Sequence, residues 1–482
     1  MAPTATPRII PRSEHTISRS HISQNALRVL YKLRDAGYMA FLVGGCVRDL
    51  LLGIEPKDFD VATDALPEEV KRLFRNCRLV GRRFRLAHVF FGREIIEVAT
   101  FRAASAPSQG EEPLPDADPE DGEAPELDEL EVLQRVPPAD PVVDDRPERD
   151  DSSERVTDET GRIIRDNVYG TIDADVWRRD FTCNALYYNI ADFTLWDYVG
   201  GKEDVAARKL KLIGDPETRF REDPVRMLRA ARFEAKLGFE IDPATAGPLA
   251  RLGDLLGGVP PARLFDETLK LFLSGHGAKS YAVLRRRGLL ATLLPTVDAY
   301  IASHPGSLVE RLLVQGLENT DQRVGADKPV TPTFLFALLL YGPIAGIIEA
   351  TPPERWHELA TILDACDEAA REAQANVAIP KRFTLGVREM FALQPRLEHP
   401  RGRRALRVLE HPRFRAAYDL LLLRADFGLA PRELAQWWTR IQEVSAEERG
   451  NMADAMAGQP QRTEGPRRGG RRRRRRRSPG AA

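Results

Sequence analysis

The segment Phe41 to Asp60, FLVGGCVRDLLLGIEPKDFD, holds the densest chemistry in the chain. Phe41, Leu42 and Val43 predict a short buried strand, Gly44-Gly45 a tight turn of bare backbone, and Val47 to Leu52 a helix ended by Gly53. A glycine turn lets backbone N–H groups come close to a ligand, and the helix start behind it favours negative charge, so such a turn can cradle a phosphate. Asp58 and Asp60 stand one residue apart, followed by Val61-Ala62-Thr63, and share a face if that stretch is a strand. Two carboxylates on one face repel unless a cation lies between them. The cation that suits carboxylates together with substrate phosphates is a hard ion such as Mg²⁺. An isolated Asp-x-Asp reads more readily as a solvated strand end; the glycine turn just upstream reverses that preference toward a metal-dependent phosphate site.

These residues need elements to hold them. Ile22 to Ala36 has apolar residues at helical spacing (Ala26, Val29, Leu30, Leu33) and stops at Gly37, delivering the chain to the Phe41 strand. Pro67, Glu68 and Glu69 open a helix that ends near Asn76. Leu79 to Arg102 predicts a hairpin turning at Gly92-Arg93, with Ile95, Glu97 and Ala99 on one face, where an acid marks either an exposed edge or a site. Ile172 to Arg179 predicts a helix, and Asn184–Ile190 with Thr194–Val199 a second hairpin. Arg178-Arg179-Asp180-Phe181-Thr182 falls at that helix-to-strand junction, where an ordinary intradomain ion pair is the alternative to a ligand site. Further on, Asp223 reads as the N-cap of a helix with Pro224 in its first turn and a stop at Gly238. From Pro261 to about Val444 the periodicity is helical, with Trp437-Trp438 half core and half surface.

Length and composition narrow the class. A chain of 482 residues accommodates two to four domains. Its four cysteines, Cys46, Cys77, Cys183 and Cys366, are far apart and form no C-x-x-C pair, which argues against a zinc site or a disulfide framework and fits a reducing compartment. No apolar run approaches the about 18 residues of a membrane span, and no signal-peptide core follows the first methionine. The formal net charge of −1 hides a segregation: residues 111–160 carry 20 Asp/Glu against 4 Arg, and residues 461–482 carry 10 Arg against 1 Glu. The acidic stretch is rich in Pro, Glu, Asp and Ser with few aromatics, a composition that cannot bury enough apolar surface to offset chain entropy. A mildly basic body with an arginine tail points to a polyanionic partner.

Gly44-Gly45-x-Val47-Arg48-Asp49 followed by Asp58-x-Asp60 resembles the signature of the class II nucleotidyltransferases, the family of bacterial poly(A) polymerases and CCA-adding tRNA nucleotidyltransferases. The resemblance runs from about Ile9 to Val444 and implies an α+β fold. A mixed β-sheet head occupies 21–104 and 162–213, interrupted by a disordered acidic insertion at 105–161; a helical neck spans 214–275 and a helical, RNA-binding body 276–448. A flexible arm of residues 1–20 and a disordered arginine-rich tail of 449–482 flank them. It also implies Asp58, Asp60 and Glu97 as ligands of two Mg²⁺ ions, with Mn²⁺ as a substitute, and Asp180 as a further essential acid. Gly44, Gly45, Arg48, Arg179 and Asn184 would bind the nucleotide, with Arg48 also tying the turn to an acid, and Asp223 with Arg226 would read the Watson-Crick edge of its base. The implied reaction is template-independent addition of AMP from ATP to RNA 3′ ends, with release of pyrophosphate, in RNA turnover. The Asp223/Arg226 pair suits cytosine as well as adenine, so a CCA-adding enzyme is the alternative, and an inactive RNA-binding module is disfavoured because all the acids are present. The Leu79–Val89 stretch and the arginine tail incline toward the polyadenylating branch. Expected partners are RNA 3′ ends and ATP, with RNA-decay proteins as associates, for a cytoplasmic monomer.

Overall fold

A computed structural model describes residues 6–81, 85–103, 155–157, 163–166, 169–400 and 402–457. Two compact units, Met1–Arg388 and Glu389–Ala482, divide the chain.

The first unit opens with a sheet. Strands β1 (Arg8–Ile10), β2 (Ala40–Val43), β3 (Asp60–Thr63), β4 (Cys77–Val80), β5 (Leu86–Phe91) and β6 (Glu94–Thr100) are followed by a small separate pair, β7 (Arg155–Thr157) and β8 (Ile163–Asp166), then by β9 (Leu186–Asn189) and β10 (Leu195–Asp197). The eight-stranded order is β1-β10-β9-β2-β3-β6-β5-β4. β2 is buried along its whole length, as befits a central strand with helices on both faces. β5 and β6 turn at Gly92, which has φ +62°, and pair Phe91 with Glu94 as the hairpin reading requires. β3 and β6 pair in parallel, which sets Asp60 directly across from Glu97.

Helices frame that sheet. α1 (Gln24–Asp35) is capped by Ser23, whose hydroxyl accepts from the amides of Asn25 and Ala26, and it buries the four apolar residues its periodicity marked. α2 (Gly45–Leu51) starts at the glycine turn, and α3 (Pro67–Leu73) has Pro67 at its first position. α4 (Ile172–Arg178) packs Ile172 and Val176 into a cluster with Phe41, Val43, Ala62, Phe101 and Tyr187. The sheet domain closes across its insertion: Gly170 N donates to Phe101 O at 2.9 Å, and Arg102 bridges Tyr169. A Cβ on Gly170 would lie 2.6 Å from Ala103 Cα, so the crossing needs glycine.

After α5 (Gly201–Ala206) come α6 (Pro216–Glu222), capped by Asp215, then α7 (Val225–Leu237), ended by Gly238 at φ +64°, α8 (Pro243–Arg251), α9 (Pro261–Phe272) and α10 (Gly277–Arg286). Further helices continue to Asn376. No single described helix is long and apolar enough to cross a membrane. The bent pair Pro332–Leu339 and Tyr341–Glu349 reaches that composition jointly, but Leu335, Phe336, Leu338 and Leu339 are buried in the protein. In the second unit Trp438 is fully buried and donates its indole N–H to Leu397 O at 2.8 Å, while Trp437 is half-buried.

Four expectations need correction. The arm expected to be flexible over 1–20 is instead part of the sheet from Arg8, pairing Ile10 with Leu195, and it buries Ile10, Ile17 and His15; a three-residue edge strand leaves too few apolar residues for a period to show. The insertion expected to lack structure to 161 ends in β7, paired with β8; its acidic residues 104–154 lie outside the described residues. Residues 449–457, expected to belong to the tail, instead lie in the helix Ala446–Ala457; the arginine run lies outside the described residues. Asn184 sits in a short 3-10 turn, Thr182–Asn184, ahead of β9 rather than in the strand.

His15 pins the N-terminal segment, with Nε2 bonded to Phe193 O at 3.0 Å and its ring edge-on to Tyr188. Burial, aided by the Arg12 and Lys202 charges and opposed by the Phe193 carbonyl, holds its pKa below the ordinary value. A depressed pKa means that the folded state binds fewer protons, so this contribution is complete above about pH 6.5 and is lost as the pH falls through the folded value. The melting temperature should therefore fall more between pH 7.5 and 5.5 in the wild type than in His15→Gln; equal slopes in a thermal melt series would contradict this anchor.

Candidate active site

The turn after β2 is shaped by Gly44, whose φ of +81° and ψ of −137° suit glycine alone. A Cβ placed there would lie 3.8 Å from Arg179 Nη1 and 3.9 Å from Asp60 Oδ2. These distances bring together three residues selected from sequence: the glycine of the turn, the acid Asp60 and Arg179 line the same small space. Gly45 starts α2, and a Cβ on it would be 3.4 Å from Arg48 Nη2.

Arg48 lies behind the turn rather than in that space. It is 2% exposed, donates from Nε and Nη2 to Asp49 Oδ1 at 2.9 and 2.7 Å, and donates from Nη1 to Asn184 Oδ1 at 2.6 Å. Removing one partner of such a buried pair strands the other charge, which costs about 3–5 kcal/mol. Arg48 and Asn184 thus tie α2 to the 182–184 turn, and the tie to an acid expected of Arg48 is present in Asp49.

The acids come from β3 and β6. Asp58 is exposed just ahead of β3, Phe59 is buried, and Asp60 at the strand's first position is half-buried, the alternation expected of an i, i+2 pair. Paired residues on neighbouring strands share a face, so Glu97 emerges beside Asp60. Glu97 Oε1 is 3.6 Å from Nε2 of His88, its cross-strand neighbour on β5. Among the described residues no three acids, histidines or cysteines converge with metal-ligand geometry. Asp58 and Asp60 alone still match the one-or-two-carboxylate mode in which Mg²⁺ binds alongside phosphate. Beneath Asp60, burial and then that carboxylate push the Cys46 thiol up to about 12, so it stays neutral and donates to Val43 O.

Arg179 is held by Asp175 and Tyr187, neither of which sequence reasoning selected. Its Nε and Nη2 reach Asp175 Oδ2 at 3.2 and 3.0 Å, its Nε reaches the Tyr187 hydroxyl at 2.7 Å, and that hydroxyl donates to Asp175 Oδ2 at 2.7 Å. Burial alone would lower the arginine's pKa, but Tyr187 and Asp175 outweigh it and the net shift is upward. The side chain is a fixed cation with Nη1 turned toward Gly44. The i, i+4 spacing of Asp175 and Arg179 on a predicted helix was the available signal.

Asp180 is joined to Arg229 of α7 by two hydrogen bonds, 2.8 Å from Nε and 2.5 Å from Nη2, and accepts from Phe181 N at 2.8 Å. Burial raises its pKa, but Arg229, the Phe181 amide and Asn184 together hold it below the ordinary value. Arg219 of α6 donates from Nη2 to the carbonyls of Arg178 and Arg179 at 3.1 and 2.7 Å. The neck helices thus grip the segment that presents Arg179.

Asp223 does not cap α7 with its side chain. It ends α6, and its two oxygens accept from Arg263 of α9 at 3.1 Å each. Arg226 Nη1 donates to Arg219 O at 2.7 Å and to Glu222 Oε2 at 3.0 Å. Both residues expected to read the base therefore have protein partners here, and those partners are different.

Comparison with known proteins places this geometry. Residues 40–211 match the family described as the poly A polymerase head domain, 238–301 a probable RNA and SrmB-binding site of polymerase A, and 354–478 the polymerase A arginine-rich C-terminus. Poly(A) polymerase I of Escherichia coli O6:H1 is 46% identical over 470 residues, covering 95% of this chain and 92% of that relative. The chain belongs to the poly(A) polymerase I family. It is accordingly a nucleotidyltransferase of the polyadenylating branch, with CCA-adding enzymes as more distant relatives. The CCA-adding enzyme of Geobacillus stearothermophilus is 32% identical over 270 residues, 56% of this chain and 54% of its own length. The fold is shared with the Thermotoga maritima CCA-adding enzyme complexed with tRNA, at a TM-score of 0.52 and 18% identity over 95% of this chain and 97% of that one.

Gly44→Ala tests the turn. Its backbone strain costs about 1–3 kcal/mol, and the methyl enters the space between Arg179 and Asp60. We expect at least a tenfold rise in the KM for ATP, or an equivalent loss of turnover, with a fall in melting temperature of a few degrees. Unaltered kinetics would show that this space does not receive the nucleotide.

Proposed function

We propose that the chain transfers AMP from ATP to the 3′-hydroxyl of RNA without a template, releasing pyrophosphate, in the cytoplasm and in the service of RNA turnover. The observation that carries the reading of the site is the convergence of Gly44, Asp60 and Arg179, a bare backbone turn, a carboxylate and a fixed cation around one space. Asp58 and Asp60 would hold the divalent ions, with Glu97 on the adjacent strand as the further carboxylate, and Mg²⁺ or Mn²⁺ suits these oxygens. Such ions, when bound, activate the attacking hydroxyl and neutralise the charge on the phosphate oxygens.

The chain's own residues do the rest by position. Arg179 cannot be deprotonated and is already oriented, so its charge stands ready for the triphosphate without reorganisation. The Gly44-Gly45 backbone allows phosphate oxygens close to the first amides of α2. Asp180, braced by Arg229, positions the Arg178–Thr182 segment between head and neck. Asp223 and Arg226 read the base by exchanging or sharing their present bonds, an Asp oxygen accepting from the exocyclic amino group and a guanidinium donating to the ring nitrogen.

Extension of an unstructured RNA with each nucleotide singly tests this reading. ATP should give a long ladder and CTP about 10- to 200-fold less, the discrimination a pocket of fixed size provides. Asp58→Asn and Asp60→Asn should each remove at least three decades of activity with folding intact. Addition of two cytosines and one adenine to a tRNA lacking its last three nucleotides, followed by arrest, would overturn the poly(A) reading in favour of CCA addition.

A further inference from the structure

Beside the acid-bearing loop, three elements of the first unit meet at one corner. α7 crosses close to α2, with the Arg48 guanidinium carbon 5.8 Å from the centre of the Phe233 ring. α10 is fastened to α7 by Glu234, which accepts from Arg286 and Arg287 at 2.7 and 2.9 Å. Lys57 on the loop, immediately before Asp58, Lys236 in the last turn of α7 and Lys279 in the first turn of α10 are all exposed.

The acids in this corner are committed elsewhere. Asp49 pairs with Arg48, Glu234 with the two arginines, and Asp321 accepts from the amides of Gly277 and Ala278 at 2.6 and 3.1 Å. None of the three lysines is in an ion pair with a described residue. Their mutual influence is visible at His276, at the entrance to α10: burial lowers its pKa most, Asp321 opposes, and Lys236, Lys279 and Lys57 all push it further down. Lys236 itself is lowered by desolvation first and by Arg48 next, opposed by Asp49, with Arg232 and Lys57 pushing it further down. Exposed ammonium groups gathered in one place without an ion pair among the described residues favour a polyanion.

We propose that Lys57, Lys236 and Lys279 form a track for the RNA backbone, holding phosphates just upstream of the 3′ end that reaches Asp58. The inference rests on the polyadenylating reading and extends it to residues outside the matched RNA-binding segment, which includes Lys279 but neither Lys57 nor Lys236. A polyphosphate tail on ATP is the competing anion. It is disfavoured because the three ammonium groups come from separate exposed elements, whereas the turn and Arg179 already provide a closed cradle. Lysine is a flexible point charge that takes phosphodiesters regardless of sequence, as a tailing enzyme whose substrate ends vary requires.

The test is RNA binding by the full chain across a salt series, using a single-stranded 20-nucleotide RNA, for Lys57→Ala, Lys236→Ala, Lys279→Ala and the triple variant. Each lysine removed should flatten the slope of log affinity against log salt by about 0.7, and the triple variant by about 2. The triple variant should bind at least tenfold more weakly at 0.1 M salt, with KM for ATP unmoved. Lys71→Ala, an exposed lysine on α3, is the control and should leave the slope alone. Unchanged slopes in the triple variant overturn the track, as would a rise in KM for ATP with RNA binding intact, which would assign the lysines to the nucleotide. Wild-type extension of RNA by ATP, run in parallel, distinguishes these outcomes from failure of the polyadenylating reading itself.

Discussion

The site depends on one buried carboxylate. Asp175 accepts from the Arg179 guanidinium at two nitrogens and from the Tyr187 hydroxyl, and this arrangement fixes where Arg179 Nη1 points. An arginine this enclosed is tolerable only with a partner in place, because a desolvated cation left alone costs several kcal/mol. The same requirement constrains the fold. Asp175 must lie on α4, Tyr187 on β9 and Arg179 one helical turn beyond Asp175, so α4 can pack against the sheet in only one register. Packing of Val176 and Ile172 against Phe41 and Tyr187 enforces that register from the apolar side.

The acids arrive by a different route. The parallel pairing of β3 and β6 requires the chain to leave β3, run through α3, β4 and β5, and return in the same direction. That return is what places Glu97 beside Asp60. The chain then departs into the acidic insertion, and the domain is sealed by Phe101, Arg102, Tyr169 and Gly170 across its mouth. A long insertion is accommodated at this point because its two ends already meet, and loop-closure entropy grows only slowly with loop length. Head and neck are then coupled by arginines: Arg219 on backbone carbonyls and Arg229 on Asp180.

Much of this was legible in the sequence, for identifiable reasons. The glycine turn, the Asp58-x-Asp60 alternation and the turn at Gly92 are local signals and fall where expected, although the Leu79–Arg102 stretch forms three strands, β4, β5 and β6, rather than a single hairpin. What stayed hidden depends on distant partners. Asp223 looked like a cap because Pro224 follows it, but Arg263, 40 residues away, takes both its oxygens. Arg48 carries the tie to an acid that its spacing suggests, but its bond to Asn184, 136 residues away, has no local signal. β1 has no local signal because a three-residue edge strand draws its stability from pairing with β10 rather than from its own pattern. Tyr187 was read only as a strand residue, since nothing local shows that its hydroxyl serves Arg179.

In the proposed function Asp175 acts by orienting Arg179 toward the nucleotide. Equilibrium binding of ATP to Asp175→Asn, compared with the wild type, tests it most directly, since asparagine keeps the volume and one acceptor but loses the charge that fixes the guanidinium. ATP affinity should fall about tenfold or more, a difference of about 1.4 kcal/mol, while affinity for RNA stays as it was. Undiminished ATP binding by a folded Asp175→Asn protein would contradict the claim and leave the Asp175–Arg179–Tyr187 cluster a structural feature of the head alone.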